Sequence, residues 1–226
     1  FDQTRDIRAR DLLFSYRKNK DPTHLFERIS EQLRSKTPLF FGAGPNLSAA
    51  LKKEGKYVRR KREKYYLVAA DGASNGLNDY ELLPDLIFSD LDGLSKKQIV
   101  KFSHLGSTLV VHGHGDNIDK LNLLEEFIKN ENFLIVTTQT EPKFPVINPG
   151  GFTDGDRSLF FCHHLTPLEK PFKLYGYDFG GFVGKYSKNE FDEKKPLTQI
   201  KEKKIRICKE LIDFLQDVSN RSIAFY

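Results

Sequence analysis

Two aspartates one residue apart follow an apolar segment in the run PDLIFSDLDG, residues 84–93. The apolar residues predict a strand over 85–89, so Asp90 and Asp92 come directly after its carboxyl end. Carboxylates that cluster where a strand opens into a loop are how α/β proteins hold Mg²⁺ against the phosphates of a nucleotide. The pair therefore indicates metal-dependent chemistry on a phosphate group.

Two more aspartates end neighbouring predicted strands. Asp71 follows YYLVAA (65–70) and Asp116 lies shortly after LVVH (109–112). A single aspartate after a strand is ordinarily a helix N-cap or a turn former. Four on one sheet edge would repel one another, a cost that a bound divalent cation removes. We therefore expect Asp71, Asp90, Asp92 and Asp116 to share a metal site.

A glycine-rich run, HGHGDN at 112–117, carries two histidines two residues apart. His112 and His114 can supply metal ligands, a general base or hydrogen bonds to phosphate. The alternative is that a histidine fixes the geometry of the loop. This alternative applies most to His112, whose side chain can point into the sheet.

A glycine-containing turn, GAGPNL at 42–47, follows the first predicted strand and opens a helix. Amides in such a turn can receive a phosphate or an adenosine group. Leu47 occupies the third glycine position of the dinucleotide-binding pattern, so a plain tight turn remains open as an interpretation. The residues predicted to bind nucleotide here are Gly42, Gly44, Pro45 and Asn46.

Two later glycine-rich segments bring further charges. Residues 180–187 are not a P-loop, because Phe179 and Tyr186 stand where that motif needs glycine and serine or threonine. Lys185 remains a candidate phosphate ligand on this segment. Residues 150–157 (GGFTDGDR) supply two acids and Arg157, and can contact substrate or phosphate or form an N-capped turn.

The elements that must position these residues alternate along the chain. Two helices are predicted before residue 36, with a start at Asp21-Pro22. Strands then alternate with helical stretches, which predicts an α/β fold with a Rossmann-like, mostly parallel sheet and helices on both faces. The segment 157–165 fits either a helix or a strand. The predicted strands are 38–42, 65–70, 85–89, 108–112, 133–137 and 172–177, with helices from 45, from 95, over 116–129 and over 196–218.

The composition sets broad limits. With 226 residues and 38% hydrophobic content, the chain fits a helical segment over 1–36 and one α/β domain over 37–226. The net charge of +5 suits a phosphate-bearing substrate or nucleic acid and decides neither. Two cysteines without CxxC spacing indicate no structural zinc or disulfide framework, and no apolar run reaches membrane-span length. We expect a cytoplasmic protein.

Five ordered blocks resemble a known family. They are similar to the archaeal-type 6-hydroxymethyl-7,8-dihydropterin pyrophosphokinases, and the first three also resemble the more distant thiamin pyrophosphokinases. His112 and His114 depart from the thiamin enzymes, whose corresponding loop is acidic and threonine-bearing. The departure argues against thiamin as the substrate. The blocks are ADGASNGL (70–77), PDLIFSDLDG (84–93), VHGHGDN (111–117), PGGFTDGDR (149–157) and GYDFGGFVGKYS (176–187).

The resemblance implies transfer of pyrophosphate from ATP to the hydroxymethyl group of the dihydropterin, with Mg²⁺, in folate- or methanopterin-type biosynthesis. It implies a thiamin pyrophosphokinase-like catalytic fold, ATP and a dihydropterin as partners and, by analogy, a homodimer, with no nucleic acid or membrane. Asp90, Asp92, His112 and His114 would be catalytic. Asn117, Arg157 and Lys185 would assist nucleotide binding, and the pterin would contact Asn75, Phe152, Thr153 and Asp154.

Other functions remain open on the residues alone. A haloacid dehalogenase-type phosphatase also uses DxDG, although here two strands precede the motif and Leu94 replaces the usual threonine. A glycosyltransferase can use Asp90 and Asp92 for a metal, and a thiamin pyrophosphokinase-like enzyme can act on another alcohol. A non-catalytic nucleotide- or RNA-binding module fits the lysine-rich runs but lacks an aromatic RNA-binding segment.

Overall fold

A computed structural model describes residues 2–187 and 195–226. Its centre is an eight-stranded sheet in the order β10-β7-β1-β2-β3-β4-β5-β6, in which every neighbouring pair is parallel. The predicted α/β class with a Rossmann-like parallel sheet is confirmed. The strands are β1 (Thr37–Phe41), β2 (Tyr65–Ala70), β3 (Leu86–Ser89), β4 (Thr108–Gly113), β5 (Leu134–Thr138), β6 (Val146–Ile147), β7 (Phe172–Tyr175) and β10 (Ile223–Phe225), with an antiparallel pair β8 (Phe182–Val183) and β9 (Lys195–Pro196) apart from the sheet.

Helices cover both faces of the sheet, because the strands are apolar on both sides. Alternate residues of one strand point to opposite faces, as Ile87 and Phe88 of β3 do in two different core clusters. The helices are α1 (Gln3–Arg17), α2 (Thr23–Ser35), α3 (Leu47–Arg60), α4 (Ala73–Asp79), α5 (Lys96–His104), α6 (Ile118–Leu123), α7 (Glu125–Asn130), α8 (Asp154–Leu165) and α9 (Gln199–Ser219), with a 3-10 turn at Arg62–Lys64.

The two N-terminal helices separate onto opposite faces. Leu13 of α1 belongs to the core cluster that contains Ile87, together with residues of α5, α6 and α7. Leu33 of α2 belongs to the cluster that contains Phe88, together with residues of α8 and α9. The segment 1–36 therefore contributes to the core on each side of the sheet.

The connection from β6 to β7 carries the chain back across the sheet. The chain leaves β6 at one edge, and α8 packs on β1, β2 and β3 before β7 pairs with β1. The segment 157–165 is thus helical, and a capping box between Thr153 and Asp156 starts the helix. The first turn of α8 lies near the end of β3.

The structure differs from the predicted elements in several places. The predicted helix over 116–129 is divided into α6 and α7, which meet at Leu124. The short helix α4 and the short strands β6 and β10 were not predicted. No helix among the described residues is long and apolar enough to cross a lipid bilayer.

Candidate active site

Three carboxylates meet at the carboxyl edge of the sheet. Asp71 follows β2, Asp90 follows β3, and Asp154 begins α8. One side-chain oxygen from each lies within 4.8 Å of the others. These three residues form the acidic cluster. Its donor set consists of hard oxygen ligands of the kind that Mg²⁺ prefers.

Local hydrogen bonds set the position of each carboxylate. The Asp71 amide donates to the Phe88 carbonyl at 2.6 Å, and the Ser89 hydroxyl donates to Asp71 Oδ1 at 2.6 Å. The Asp90 amide donates to Asp154 Oδ2 at 3.2 Å. Strands β2 and β3 and helix α8 are thereby joined at the cluster.

The backbone is unusual where the cluster forms. Asp71 has φ 46° and Leu91 has φ 70°, a left-handed conformation that is uncommon for a leucine. The turn after Leu91 places the Gly93 backbone directly against the Asp71 carboxylate, since a Cβ at Gly93 would lie 2.1 Å from Asp71 Oδ2. Strained residues of this kind concentrate at functional sites.

Burial and mutual repulsion disfavour the charged forms of carboxylates in the acidic cluster. Burial, and then the charge of Asp90, raise the pKa of Asp71 to about 7. Burial and the charges of Asp90 and Asp71 raise the pKa of Asp154 well above its ordinary value. For Asp90, burial acts upward, but the hydrogen bond and charge of His114, the Asp92 amide and the charge of Lys204 together outweigh it, and the pKa is lowered. A bound cation would relieve the repulsion.

The structure changes the predicted set of four aspartates. The side chain of Asp116 is 82% exposed and faces Arg5 at 3.7 Å, outside the acidic cluster. The side chain of Asp92 is half-exposed and pairs with Lys120. Asp154, which was predicted to contact substrate, lies with Asp71 and Asp90 in the acidic cluster because α8 carries it to the end of β3.

Both histidines lie beside the cluster. His114 Nε2 is 3.6 Å from Asp90 Oδ2, and the two imidazole rings stack with centroids 5.8 Å apart. His112 Nδ1 lies 3.0 Å from the Thr137 hydroxyl, and the residue is buried. Burial, together with the charges of Arg157 and His114, lowers the pKa of His112 well below its ordinary value. His112 is therefore neutral at pH 7.

Four buried polar atoms lack a hydrogen-bond partner among the described residues. They are Nε2 of His112, Nε2 of His114, Nε of Arg157 and Oδ1 of Asn46. Buried polar groups are ordinarily hydrogen-bonded, so we expect a ligand or water molecules to bind these four atoms. All four belong to the predicted site residues.

Arg157 is fully buried rather than turned to solvent. Its guanidinium donates to the carbonyls of Gly150 and Phe152 at 3.4 and 3.3 Å. The charges of Asp154, Asp156 and Asp90 act on it, against the burial that lowers its pKa. Arg157 thus holds the 150–152 segment and offsets part of the acidic charge.

Several predicted binding residues are already engaged within the protein. Asn117 donates to the carbonyls of Asp90 and His112 at 2.8 and 2.7 Å, so it joins two strand ends. The Thr153 hydroxyl donates to Asp156 in the capping box. Asn75 accepts a bond from Gln98 at 2.8 Å.

The GAGPN turn packs against the end of β7. The amides of Gly42 and Gly44 donate to the carbonyls of Tyr175 and Gly176, each at 2.8 Å. A phosphate therefore cannot use these two amides without breaking backbone bonds. Pro45 is half-buried beside them, and the buried Oδ1 of Asn46, which has no hydrogen-bond partner among the described residues, is available to a ligand.

Cations approach the site from the C-terminal part of the chain. Lys185 is exposed, and its Nζ lies 5.3 Å from the ring centroid of Tyr186. The Tyr186 carbonyl touches Gly72, where a Cβ would lie 1.9 Å from it. The charge of Lys204, on α9, lowers the pKa of Asp90. Lys204 was missed because its lysine-rich run resembles an ordinary solvated helix face.

Comparison with known proteins identifies relatives of this chain. A family model described as 6-hydroxymethylpterin diphosphokinase MptE-like matches residues 11–182. A Pyrococcus furiosus protein named 6-hydroxymethyl-7,8-dihydropterin pyrophosphokinase is 38% identical over 94% of this chain and 85% of its own length. Proteins of the same name from Methanocaldococcus jannaschii and Methanothermobacter thermautotrophicus are 33% and 37% identical, covering 96% and 79% of this chain and 89% and 73% of their own lengths.

Proposed function

The chain belongs to the MptE-like 6-hydroxymethylpterin diphosphokinase family, and we propose that it transfers pyrophosphate from ATP to the hydroxymethyl oxygen of 6-hydroxymethyl-7,8-dihydropterin. The hydroxymethyl oxygen forms a bond to the β-phosphorus of ATP. The bond between that phosphorus and the α–β bridging oxygen breaks, and AMP leaves. The product is the pterin diphosphate, an intermediate of folate- or methanopterin-type biosynthesis.

One observation carries the proposal. Asp71, Asp90 and Asp154 converge within 4.8 Å at the carboxyl edge of the sheet, which is where open α/β proteins bind their ligands. Transfer of a phosphoryl-type group needs charge neutralisation and an in-line alcohol, and no covalent nucleophile. The acidic cluster supplies the first of these requirements when it holds a cation.

The residues present fit Mg²⁺. Oxygens bound to one Mg²⁺ ion lie about 3–4 Å apart, so small side-chain rotations bring the cluster into range. Burial and mutual repulsion raise the pKa values of Asp71 and Asp154, and for Asp154 the charge of Arg157 offsets this only in part. We assign Asp71, Asp90 and Asp154 as the protein ligands of Mg²⁺. When bound, the ion would neutralise charge on the ATP phosphates.

The histidines are assigned different tasks. His112 is neutral and its Nε2 has no partner among the described residues, so it can accept a hydrogen bond from the hydroxymethyl group. The alcohol loses its proton late in a loose transition state, and a weakly basic imidazole is sufficient to orient it. His114 orients Asp90 from a distance of 3.6 Å.

Binding of the substrates is assigned to the surrounding loops. Lys204 and Lys185 supply positive charge for the ATP phosphates, and Asn46 faces the nucleotide. The segment 150–153, held by Arg157, offers Phe152 as an apolar surface for the pterin ring. Because ATP is an intracellular co-substrate, we place the enzyme in the cytoplasm.

The test uses ATP labelled with ³²P at the γ-phosphate and identifies which product carries the label. Incubation with Mg²⁺ and the reduced pterin should give unlabelled AMP and a pterin diphosphate that retains the label. Labelled inorganic phosphate would indicate a phosphatase, and ADP with a pterin monophosphate would indicate single phosphoryl transfer. The absence of any turnover would favour a binding protein.

A further inference from the structure

Helix α1 reaches the candidate active site through one buried carboxylate. Asp6 is 6% exposed. Its Oδ1 accepts a hydrogen bond of 2.7 Å from the Gly115 amide, and its Oδ2 accepts one of 2.7 Å from Nε2 of Gln139. Both oxygens are thus bound to segments more than a hundred residues away, with sequence separations of 109 and 133.

The two glycines of the histidine loop, residues 112–117, let α1 lie directly on it. A Cβ at Gly113 would be 2.5 Å from Cδ1 of Leu13. A Cβ at Gly115 would be 2.6 Å from Cβ of Arg5. A side chain at Gly115 would therefore require the helix to move, and a side chain at Gly113 would displace the side chain of Leu13. The glycines are therefore explained by contact with α1.

Asp6 is connected to both histidines. Gly115 directly follows His114, whose amide is held by Asn117 Oδ1 at 3.0 Å. Gln139, held by Asp6, interacts with His112, and its side chain raises the pKa of that imidazole against the effect of burial. One carboxylate therefore anchors the backbone beside His114 and the amide beside His112.

The usual reason for an acid in the first turn of a helix does not account for Asp6. Such an acid stabilises the helix dipole while its oxygens stay in solvent. Asp2 already caps α1 by accepting a bond from the Arg5 amide at 3.2 Å. Asp6 is buried, and hydrogen bonds to other segments use both of its oxygens.

We propose that Asp6 is a positioning residue, which holds His112 and His114 at the acidic cluster through Gly115 and Gln139. The proposal rests on the proposed pyrophosphokinase activity. It gives α1 a role in the reaction although the helix contributes no group to the reacting atoms.

Asp6→Ala should lower kcat by about tenfold to a hundredfold, because small displacements of reacting groups are costly. The KM for ATP should change less than about twofold, since the nucleotide turn is at the other side of the site. Hydrogen exchange of the Gly115 amide should accelerate at least tenfold. Asp6→Asn retains an acceptor for the Gly115 amide but turns a donor toward Nε2 of Gln139, so it should recover only part of the activity.

The matched control is Asp2→Ala, which removes the cap of α1 and leaves both bonds of Asp6 in place. It should lower thermal stability and keep kcat within about twofold. If Asp6→Ala does not fold, Gln139→Ala and Asp6→Asn carry the test, with a loss of kcat expected for Gln139→Ala.

Either of two kinetic outcomes overturns the positioning role. One is a wild-type kcat in Asp6→Ala, and the other is a fall in kcat of equal size in Asp2→Ala. Failure of the proposed function is distinct, because the wild-type protein would then form no pterin diphosphate. Unchanged exchange at Gly115 in Asp6→Ala would overturn the positioning role whether or not the protein is active.

Discussion

The Asp90 amide donates a 3.2 Å hydrogen bond to Asp154 Oδ2, and this bond joins the end of β3 to the first turn of α8. The two residues are 64 positions apart in the sequence. The bond holds Asp154 in the acidic cluster, whereas Asp116 is exposed and lies outside it. The assignments can therefore be tested by comparing variants of these two residues.

Asp154→Asn should reduce turnover by at least about a hundredfold while leaving the fold intact. The asparagine side chain is neutral, so it cannot contribute negative charge to a bound cation. The substitution also removes a buried carboxylate whose charged form is disfavoured by burial and by repulsion from its neighbours. Melting temperature in EDTA should therefore be unchanged or higher. Asp116→Asn is the control, and its turnover should stay within about twofold. Equal losses in the two variants would contradict the assignment.

The contribution of Asp71 to the stability of the metal-free protein should fall as pH rises from about 4 to 7. The unfolded chain releases the Asp71 proton near the ordinary value of 3.8, whereas the folded protein retains it until pH of about 7. Between these values the folded state binds more protons, so raising the pH favours unfolding. Melting curves in EDTA should show the fall, and Mg²⁺ should remove it. Asp71→Asn should flatten the profile, and an unchanged profile in that variant would refute the assignment.

Gly93→Ala should abolish Mg²⁺-dependent activity, because its Cβ would lie 2.1 Å from Asp71 Oδ2 and displace the carboxylate. Gly181→Ala is the matched control, since a Cβ there meets no described atom within 4 Å. Turnover and Mg²⁺ affinity should be unaffected in the control. A fully active Gly93→Ala variant would show that Asp71 does not need its observed position.

Lys204→Ala should raise the KM for ATP by about tenfold, which corresponds to about 1.4 kcal/mol of lost binding free energy. The reason is that the charge of Lys204 acts on Asp90, where the ATP phosphates are expected. Lys203→Ala, one residue away and also exposed, should leave the KM within about twofold. Equal effects in both variants would point to a general loss of surface charge.

Part of the site could be predicted from the sequence. Asp71 and Asp90 follow strands that pair in parallel, and parallel strands end at one edge, so their proximity depends only on the alternation of elements. The position of Asp154 depends on the path of the chain from β6 across the sheet to β7. Nothing in the local sequence indicates that α8 crosses to β3.

The remaining differences also have local physical causes. Asp116 is five residues beyond Val111, the last apolar residue of β4, and the direction of its side chain depends on a turn held by Asp6 and Asn117. Helix α4 has the sequence ASNGLND, whose glycine and asparagines are poor helix formers. The strand β10 has three residues, too few for a periodic pattern.

The central claim is that the ATP phosphates and a divalent cation meet at Asp71, Asp90 and Asp154. The most direct measurement is a crystal structure with Mn²⁺ and an ATP analogue that has a methylene bridge between the α- and β-phosphorus atoms. The account predicts an anomalous peak within about 2.5 Å of an oxygen from each of the three aspartates, with the β-phosphate bound to the same ion. A peak at Asp116, or phosphates bound away from the end of β3, would contradict it.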